Sequence, residues 1–213
     1  MANGRVQLNT GAVLEPLNYS VERHFDPKGM AKSLSHLCRF AGNTRVFYSV
    51  LQHTLLVSNL ATEIYRERRQ EGRGQNIDYF QVALMGLLHE AYEQVIGDIP
   101  GPLKDIPVMK FIKDIENQNL KDLYEFHGLD TNPEQLSIVS EADKYALAME
   151  ADAFMDIGDL VWNSFISKYS PTKYEKYIII EEDSSNFEKW QSLWLDRYID
   201  LVEKIRRIKE GLV

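Results

Sequence analysis

Residues 84 to 104 read Leu-Met-Gly-Leu-Leu-His-Glu-Ala-Tyr-Glu-Gln-Val-Ile-Gly-Asp-Ile-Pro-Gly-Pro-Leu-Lys. An apolar helix runs into the adjacent His89-Glu90 pair, carries Glu93 one turn further on, and breaks at Gly97 into a loop holding Asp98 and Lys104. The polar groups fall where their apolar surroundings predict a buried helix. Water cannot compensate an imidazole and a carboxylate there, so another partner must, and a metal ion is the leading candidate.

Working outward, Asp78-Tyr-Phe-Gln81 reads as a capping box that starts this helix, and its apolar residues run nearly all round, which marks it as interior. Three prolines between Gly97 and Pro107 forbid its continuation. An amphipathic helix is expected over Val108 to Phe126. Thr131-Asn-Pro-Glu134 opens another that runs towards Met155, with Leu136, Val139, Ala146 and Leu147 on one face and Asp143 among them. Upstream, Val50, Val57, Leu60 and Ile64 recur at helical spacing between about Ser49 and Arg69, with His53 on the same face. Glu71-Gly-Arg-Gly74 closes that helix as a solvated loop. Asp26-Pro27 is an N-cap followed by proline at the first helical position, and Gly42-Asn43 ends the pattern it starts, leaving Arg39, Phe40 and Arg45 near the turn.

At the N-terminus, Arg5 to Leu17 alternates weakly around Asn9-Thr10-Gly11, the pattern of a short hairpin or extended lead-in. Between Asp156 and Asp183 no periodicity dominates. Ser170-Pro171 is a break there, and Tyr177 to Ile180 fits more than one element. Ser185-Asn-Phe-Glu188 caps a last helix with Trp190, Trp194, Ile199, Val202 and Ile205 as its packing stripe. The expectation is an all-α helical bundle with a short N-terminal hairpin, one domain over residues 1–213, and a C-terminal helical extension at 184–211.

A chain of 213 residues suffices for one full hydrophobic core, and no internal repeat divides it. The net charge of -8 argues against an extended nucleic-acid partner or an anionic membrane, both of which need a basic surface. An anionic substrate would have to be held by a local basic cluster. The single Cys38 excludes an internal disulfide and a multi-cysteine zinc site. No apolar signal core or membrane-length run is present, and Ala2 removes a myristoylation motif, so a cytoplasmic location is expected.

Three helices thus each place ionisable groups on an otherwise apolar face: His53, His89 with Glu90, and Asp143. Singly, each has an ordinary explanation as a hydrogen-bonded core histidine or a buried ion-pair partner. Jointly, two imidazoles and two carboxylates form a donor set for a divalent transition metal with positions left for water or a substrate oxygen.

These residues resemble the H…HD…D pattern of the HD-domain metal-dependent phosphohydrolases. The likeness covers roughly residues 34–155. It includes the Leu34-Ser-His-Leu-Cys-Arg-Phe-Ala-Gly-Asn-Thr-Arg45 opening and the Gly97-Asp-Ile-Pro-Gly-Pro-Leu-Lys104 loop, and it points to the bacterial 5′-deoxynucleotidases and phage dATP triphosphohydrolases. The resemblance implies an HD-type helical core with one catalytic cobalt, manganese or zinc ion, magnesium being a further option, held by His53, His89, Glu90 and Asp143. It also implies a homo-oligomer and a small nucleotide substrate. By the same likeness Glu93 orients or deprotonates the attacking water, where otherwise it would be a solvated helical glutamate. Asp98 contacts substrate or assists proton transfer, or else caps its helix end. Arg39 and Phe40 would hold phosphate and base or sugar, with Phe40 equally suited to the core. Lys104 would touch phosphate, unless it is an ordinary exposed lysine. His36 is set aside in favour of His53, and His24 and His127 have no supporting context. One departure stands out: Glu90 replaces the family's usual aspartate, and its extra methylene moves the carboxylate by roughly 1.5 Å.

The implied activity is hydrolysis of deoxynucleoside 5′-phosphates, leaning to a dNTP such as dATP with release of nucleoside and triphosphate. A 5′-deoxynucleotidase acting on dNMPs is one alternative. A nucleotide-binding regulatory protein with weakened catalysis is another, and a phosphodiesterase acting on cyclic nucleotides or single strands is a third.

Overall fold

The computed structural model describes residues 4–158, 160–178 and 185–212. Two short strands, β1 (Val6–Gln7) and β2 (Val13–Leu14), pair antiparallel as the expected hairpin. Ten α-helices follow among the described residues: α1 (Val21–His24), α2 (Pro27–His36), α3 (Val50–Gln70), α4 (Tyr79–Leu88), α5 (Glu93–Ile96), α6 (Gly101–Lys104), α7 (Lys110–Phe126), α8 (Pro133–Phe154), α9 (Leu160–Lys168) and α10 (Phe187–Lys209). No described helix is long and apolar enough to cross a membrane.

The bundle is organised on α3, which packs against α4 and α8, while α10 lies across α2, α4 and α3. Leu51, Val57, Leu60 and Ile64 of α3 meet Leu84, Met85, Leu87 and Leu88 of α4 and Ile138, Ala142 and Ala146 of α8 in one buried core. Gly86 permits the closest approach: a Cβ there would sit 3.1 Å from the Ser58 Cα. The Ser58 hydroxyl donates to the Ala83 carbonyl at 2.8 Å across the same seam. Close α3–α4 packing is what brings His53 and His89 together.

Local chemistry set several helix starts. Asp26 accepts from the Gly29 N–H, and Ser49 and Gln52 complete a capping box on α3. Other starts differ from expectation by a residue or a partner. Asp78 caps α4, but Gln81 turns away to bond Asp130 instead of closing the box. The cap of α8 is Asn132, with Pro133 in the first turn, rather than Thr131. Asn186 caps α10. The Gly97–Pro107 segment contains the helical turn α6, because Pro102 sits in its first turn, where no N–H is needed.

Two packing stripes also shift. Leu136 is 42% exposed, since α8 buries Gln135, Ile138, Val139, Ala142 and Ala146 and Leu136 lies off that phase. Ile199 is 58% exposed, because the inner face of α10 runs through Trp190, Trp194, Leu201 and Ile205. The break at Ser170-Pro171 is present, with a 3-10 segment over Pro171–Tyr177. Ile179, Ile180 and residue 184 lie outside the described residues.

Candidate metal centre

The central apolar helix ends earlier than its pattern suggested. α4 stops at Leu88, His89 occupies its C-cap, and Glu93 begins the separate short helix α5. His89 Nδ1 donates to the Gly86 carbonyl at 2.8 Å, the acceptor a continuing helix would offer to the Glu90 N–H. The chain therefore turns out of the helix at the histidine, and Gly97, with φ +81°, turns it again towards Asp98.

His53, His89, Glu90 and Asp143 each offer a ligand atom, all within 4.8 Å of one another. The two Nε2 atoms are 3.1 Å apart. Asp143 Oδ1 lies 3.3 Å from His53 Nε2 and 3.8 Å from His89 Nε2. Glu90 Oε1 is 3.9 and 3.7 Å from the same two atoms, so the longer side chain reaches the cluster.

This set fits a metal on its own chemistry. A carbonyl can only accept, so His89 donates through Nδ1 and turns the Nε2 lone pair inward. His53 Nδ1 is likewise committed, at 2.7 Å, to Glu150. Two nitrogens bound to one ion at roughly 2.0–2.1 Å would stand about 3.3 Å apart in a tetrahedral site. The cluster also attracts positive charge. Burial and the Arg39 charge oppose protonation of His53, but Glu150 and Asp143 outweigh them and raise its pKa to about 9. Burial pushes the Asp143 carboxyl up, yet the His53 and His89 imidazoles beside it hold it well below the ordinary range. Glu90 is pushed up by burial and held below its ordinary value by His89, Arg39 and His53.

Arg39 is the hub of the adjoining shell. Only 8% exposed, it lies 3.4 Å from Asp98, 3.6 Å from Glu150 and 3.9 Å from Glu90. Burial opposes its charge, and the surrounding carboxylates hold its pKa above normal. The turn that aims it is strained: Phe40 and Ala41 have φ of 55° and 51°, each costing roughly 1–2 kcal/mol. Asp98 accepts the Phe40 N–H at 3.0 Å, so its carboxylate fastens this turn rather than its own helix end. The turn leaves the Phe40 ring half-buried at a cleft of about 610 Å³ lined by Arg39, Asp98, Leu147, Met155, Trp162 and Phe165. Phe40 and Trp162 face one another edge-on, with centroids 6.3 Å apart.

Glu93 is 2% exposed, and its Oε2 has no hydrogen-bond partner among the described residues. Burial and the neighbouring Glu90 and Asp98 charges push its carboxyl well above the ordinary range. Lys104 ends α6 largely buried and paired, with Nζ 2.7 Å from Glu116 and 3.6 Å from Glu93. It is not the ordinary exposed lysine that was the alternative to a phosphate contact. Glu116 and Glu93 also line a second, smaller pocket of about 140 Å³ beside His89 and Glu90. Arg45 lies apart, bonded to Asp156 and the Ala153 carbonyl.

Glu150, Trp162 and Glu116 were not singled out from sequence. Glu150 had a signal, an acid within the apolar run Ala148-Met-Glu-Ala151 two turns after Asp143. Trp162 had none, because its helix follows no clear pattern.

A sequence model of the YfbR-like family, described as 5′-deoxynucleotidase YfbR-like, matches residues 29–161. The uncharacterized protein YfdR of Escherichia coli K12 is 34% identical over 122 residues, which are 57% of this chain and 56% of YfdR. The match thus spans little more than half of that relative's length. In fold, the chain is similar to the cyanophage S-2L HD phosphohydrolase DatZ, solved with dA and one catalytic Zn²⁺ ion. The TM-score is 0.52 at 16% identity, covering 82% of this chain and 95% of DatZ.

Proposed function

Because the chain belongs to the YfbR-like 5′-deoxynucleotidase family, we propose that it hydrolyses deoxynucleoside 5′-phosphates with a divalent transition metal held by His53, His89, Glu90 and Asp143. The observation that carries this reading is the pair of imidazole Nε2 atoms 3.1 Å apart, both turned inward beside two carboxylates. A metal held there supplies Lewis acidity towards a phosphoryl oxygen and lowers the pKa of water.

The chain's own groups divide the remaining work. Glu93 Oε2, buried without a partner among the described residues, is the acceptor for the proton of the attacking water. Lys104, 3.6 Å away, offsets the carboxylate charge that this transfer draws on. Arg39 Nε, buried and without a hydrogen-bond partner among the described residues, is the donor left for a phosphate oxygen, while the other guanidinium nitrogens hold Asp98, Glu90 and Glu150 in place. Asp98 keeps the Phe40 turn set, and Phe40 with Trp162 receives the base and sugar in the cleft. Water adds to phosphorus, the P–O5′ bond breaks, and the proton returns to O5′ of the nucleoside.

The substrate we assign first is a monophosphate, giving nucleoside and phosphate. Arg39 and Lys104 are both already neutralised by carboxylates, which leaves little positive charge for a longer phosphate chain. DatZ is solved with dA, which favours adenine as the base. A triphosphate is the second reading, favoured by a cleft of about 610 Å³, within the size range of nucleotide-sized pockets.

An assay of deoxynucleoside mono- and triphosphates with Mn²⁺, Co²⁺, Zn²⁺ and Mg²⁺ tests this. Phosphate from a dNMP supports the first reading, and intact triphosphate from a dNTP supports the second. No turnover above a His89→Ala control with any metal would sink the enzymatic reading. Nucleotide binding without turnover would then favour a regulatory protein.

A further inference from the structure

His53 has two faces, and only one of them is a candidate metal face. Its Nε2 meets His89, Glu90 and Asp143, while its Nδ1 lies 2.7 Å from Oε1 of Glu150, both side chains being fully buried. Glu150 stands two helical turns beyond Asp143 on α8, so one rigid helix carries both a candidate ligand and the partner of another. Its second oxygen is turned towards Arg39 Nη2 at 3.6 Å. Arg39 in turn reaches Glu90, a candidate ligand, and Asp98, which holds the Phe40 turn.

A buried carboxylate against a buried imidazole nitrogen can only accept the Nδ1 proton, which leaves the other nitrogen to offer its lone pair. Outer-shell carboxylates of this kind fix the ring orientation and tautomer of a metal-binding histidine and raise its donor strength. We infer that Glu150 is a positioning residue. It locks His53 in the Nδ1–H tautomer with Nε2 facing the site, and Arg39 braces it, so that metal affinity is set from a residue that touches neither metal nor substrate. This inference rests on the metal assignment proposed above and not on the choice of substrate.

The test is Zn²⁺ binding by calorimetry to chelator-stripped wild type, Glu150→Gln and Glu150→Leu. The amide oxygen of Gln can still accept from Nδ1 but lacks the charge, so its dissociation constant should rise about tenfold. Leu removes the acceptor, and the rise should approach about 100-fold. A role confined to packing would lower the melting temperature and leave the affinity of the folded protein unchanged. Equal Zn²⁺ affinity in wild type and both variants therefore overturns the inference. At saturating Zn²⁺ the Gln variant should regain most of its kcat with KM unchanged, since no substrate contact is lost.

Nitrogen-15 resonance of the His53 ring in Zn²⁺-loaded wild type needs no variant. A protonated Nδ1 with an exchange-protected proton is expected, and an Nδ1 bound to the metal would overturn the inference even if the Leu variant failed to fold. Wild type that binds Zn²⁺ in this way yet hydrolyses no deoxynucleotide would sink the functional reading and leave the role of Glu150 standing.

Discussion

Two histidines at different places in the bundle, His53 and His127, show what burial means for an imidazole. His53 lies in the first turn of α3 with carboxylates on both sides, Glu150 at Nδ1 and Asp143 with Glu90 at Nε2. His127 ends α7, where Nδ1 bonds the Leu123 carbonyl at 2.8 Å and Nε2 meets the Tyr198 hydroxyl at 2.9 Å. Phe25, Phe126 and Tyr198 pack edge-on around its ring. The consequences have opposite signs. The acids raise His53 to about 9 against its burial, whereas burial lowers His127 despite its carbonyl partner. A removed imidazole becomes a metal ligand when convergent acids demand positive charge, and a packing group when neutral partners satisfy both nitrogens.

The comparison breaks most readily by deleting each side. His53→Ala and Asp143→Ala should each reduce metal affinity more than about 100-fold, exceeding an outer-shell loss, whereas His127→Ala should leave bound metal unchanged. Elemental analysis of the folded proteins checks this, and a His53→Ala variant that kept wild-type metal content would remove His53 from the site.

Next in size is the brace. Arg39→Ala leaves Glu150, Asp98 and Glu90 without their shared counter-charge and should destabilise the protein by about 3–5 kcal/mol in urea unfolding. A loss within about 0.5 kcal/mol would mean the guanidinium is not the hub that its distances describe.

The two histidines should also pull stability in opposite directions with pH. In chelator-stripped protein, His53 has a folded value above that of the unfolded chain. Its stabilisation is therefore complete below about pH 6.5 and lost as pH rises through 9, on the order of 3 kcal/mol. Burial lowers His127, so its contribution is complete above about pH 6.5 and declines as pH falls. Unfolding profiles of His53→Gln and His127→Gln against wild type should show loss of the alkaline slope in one and a weaker acid slope in the other. The same slope lost in both would erase the distinction.

Much of this is legible in the sequence alone. The α3 and α8 helices, the Asp26 cap and the N-terminal hairpin follow from periodicity and capping chemistry, and His53, His89, Glu90 and Asp143 from donor type together with the family resemblance. These are local or pairwise signals, carried by spacing along one helix. The early end of α4 was not legible, because it depends on where the His89 side chain finds an acceptor. The off-phase positions of Leu136 and Ile199 were hidden too, since either side of a mixed stripe can face inward until a neighbour chooses.

By itself, then, the sequence determined that this is a helical protein carrying an imidazole–carboxylate donor set, since helix periodicity and ligand chemistry are written residue by residue. Only the tertiary structure decided that Lys104 is paired, that Asp98 fastens the Phe40 turn, and that Glu150 stands behind His53. Those relations join residues 12, 58 and 97 positions apart. The packing of α8 on α3 brings Glu150 behind His53, the contact of α6 with α7 brings Glu116 to Lys104, and a buried charge takes whichever partner the packing brings within reach.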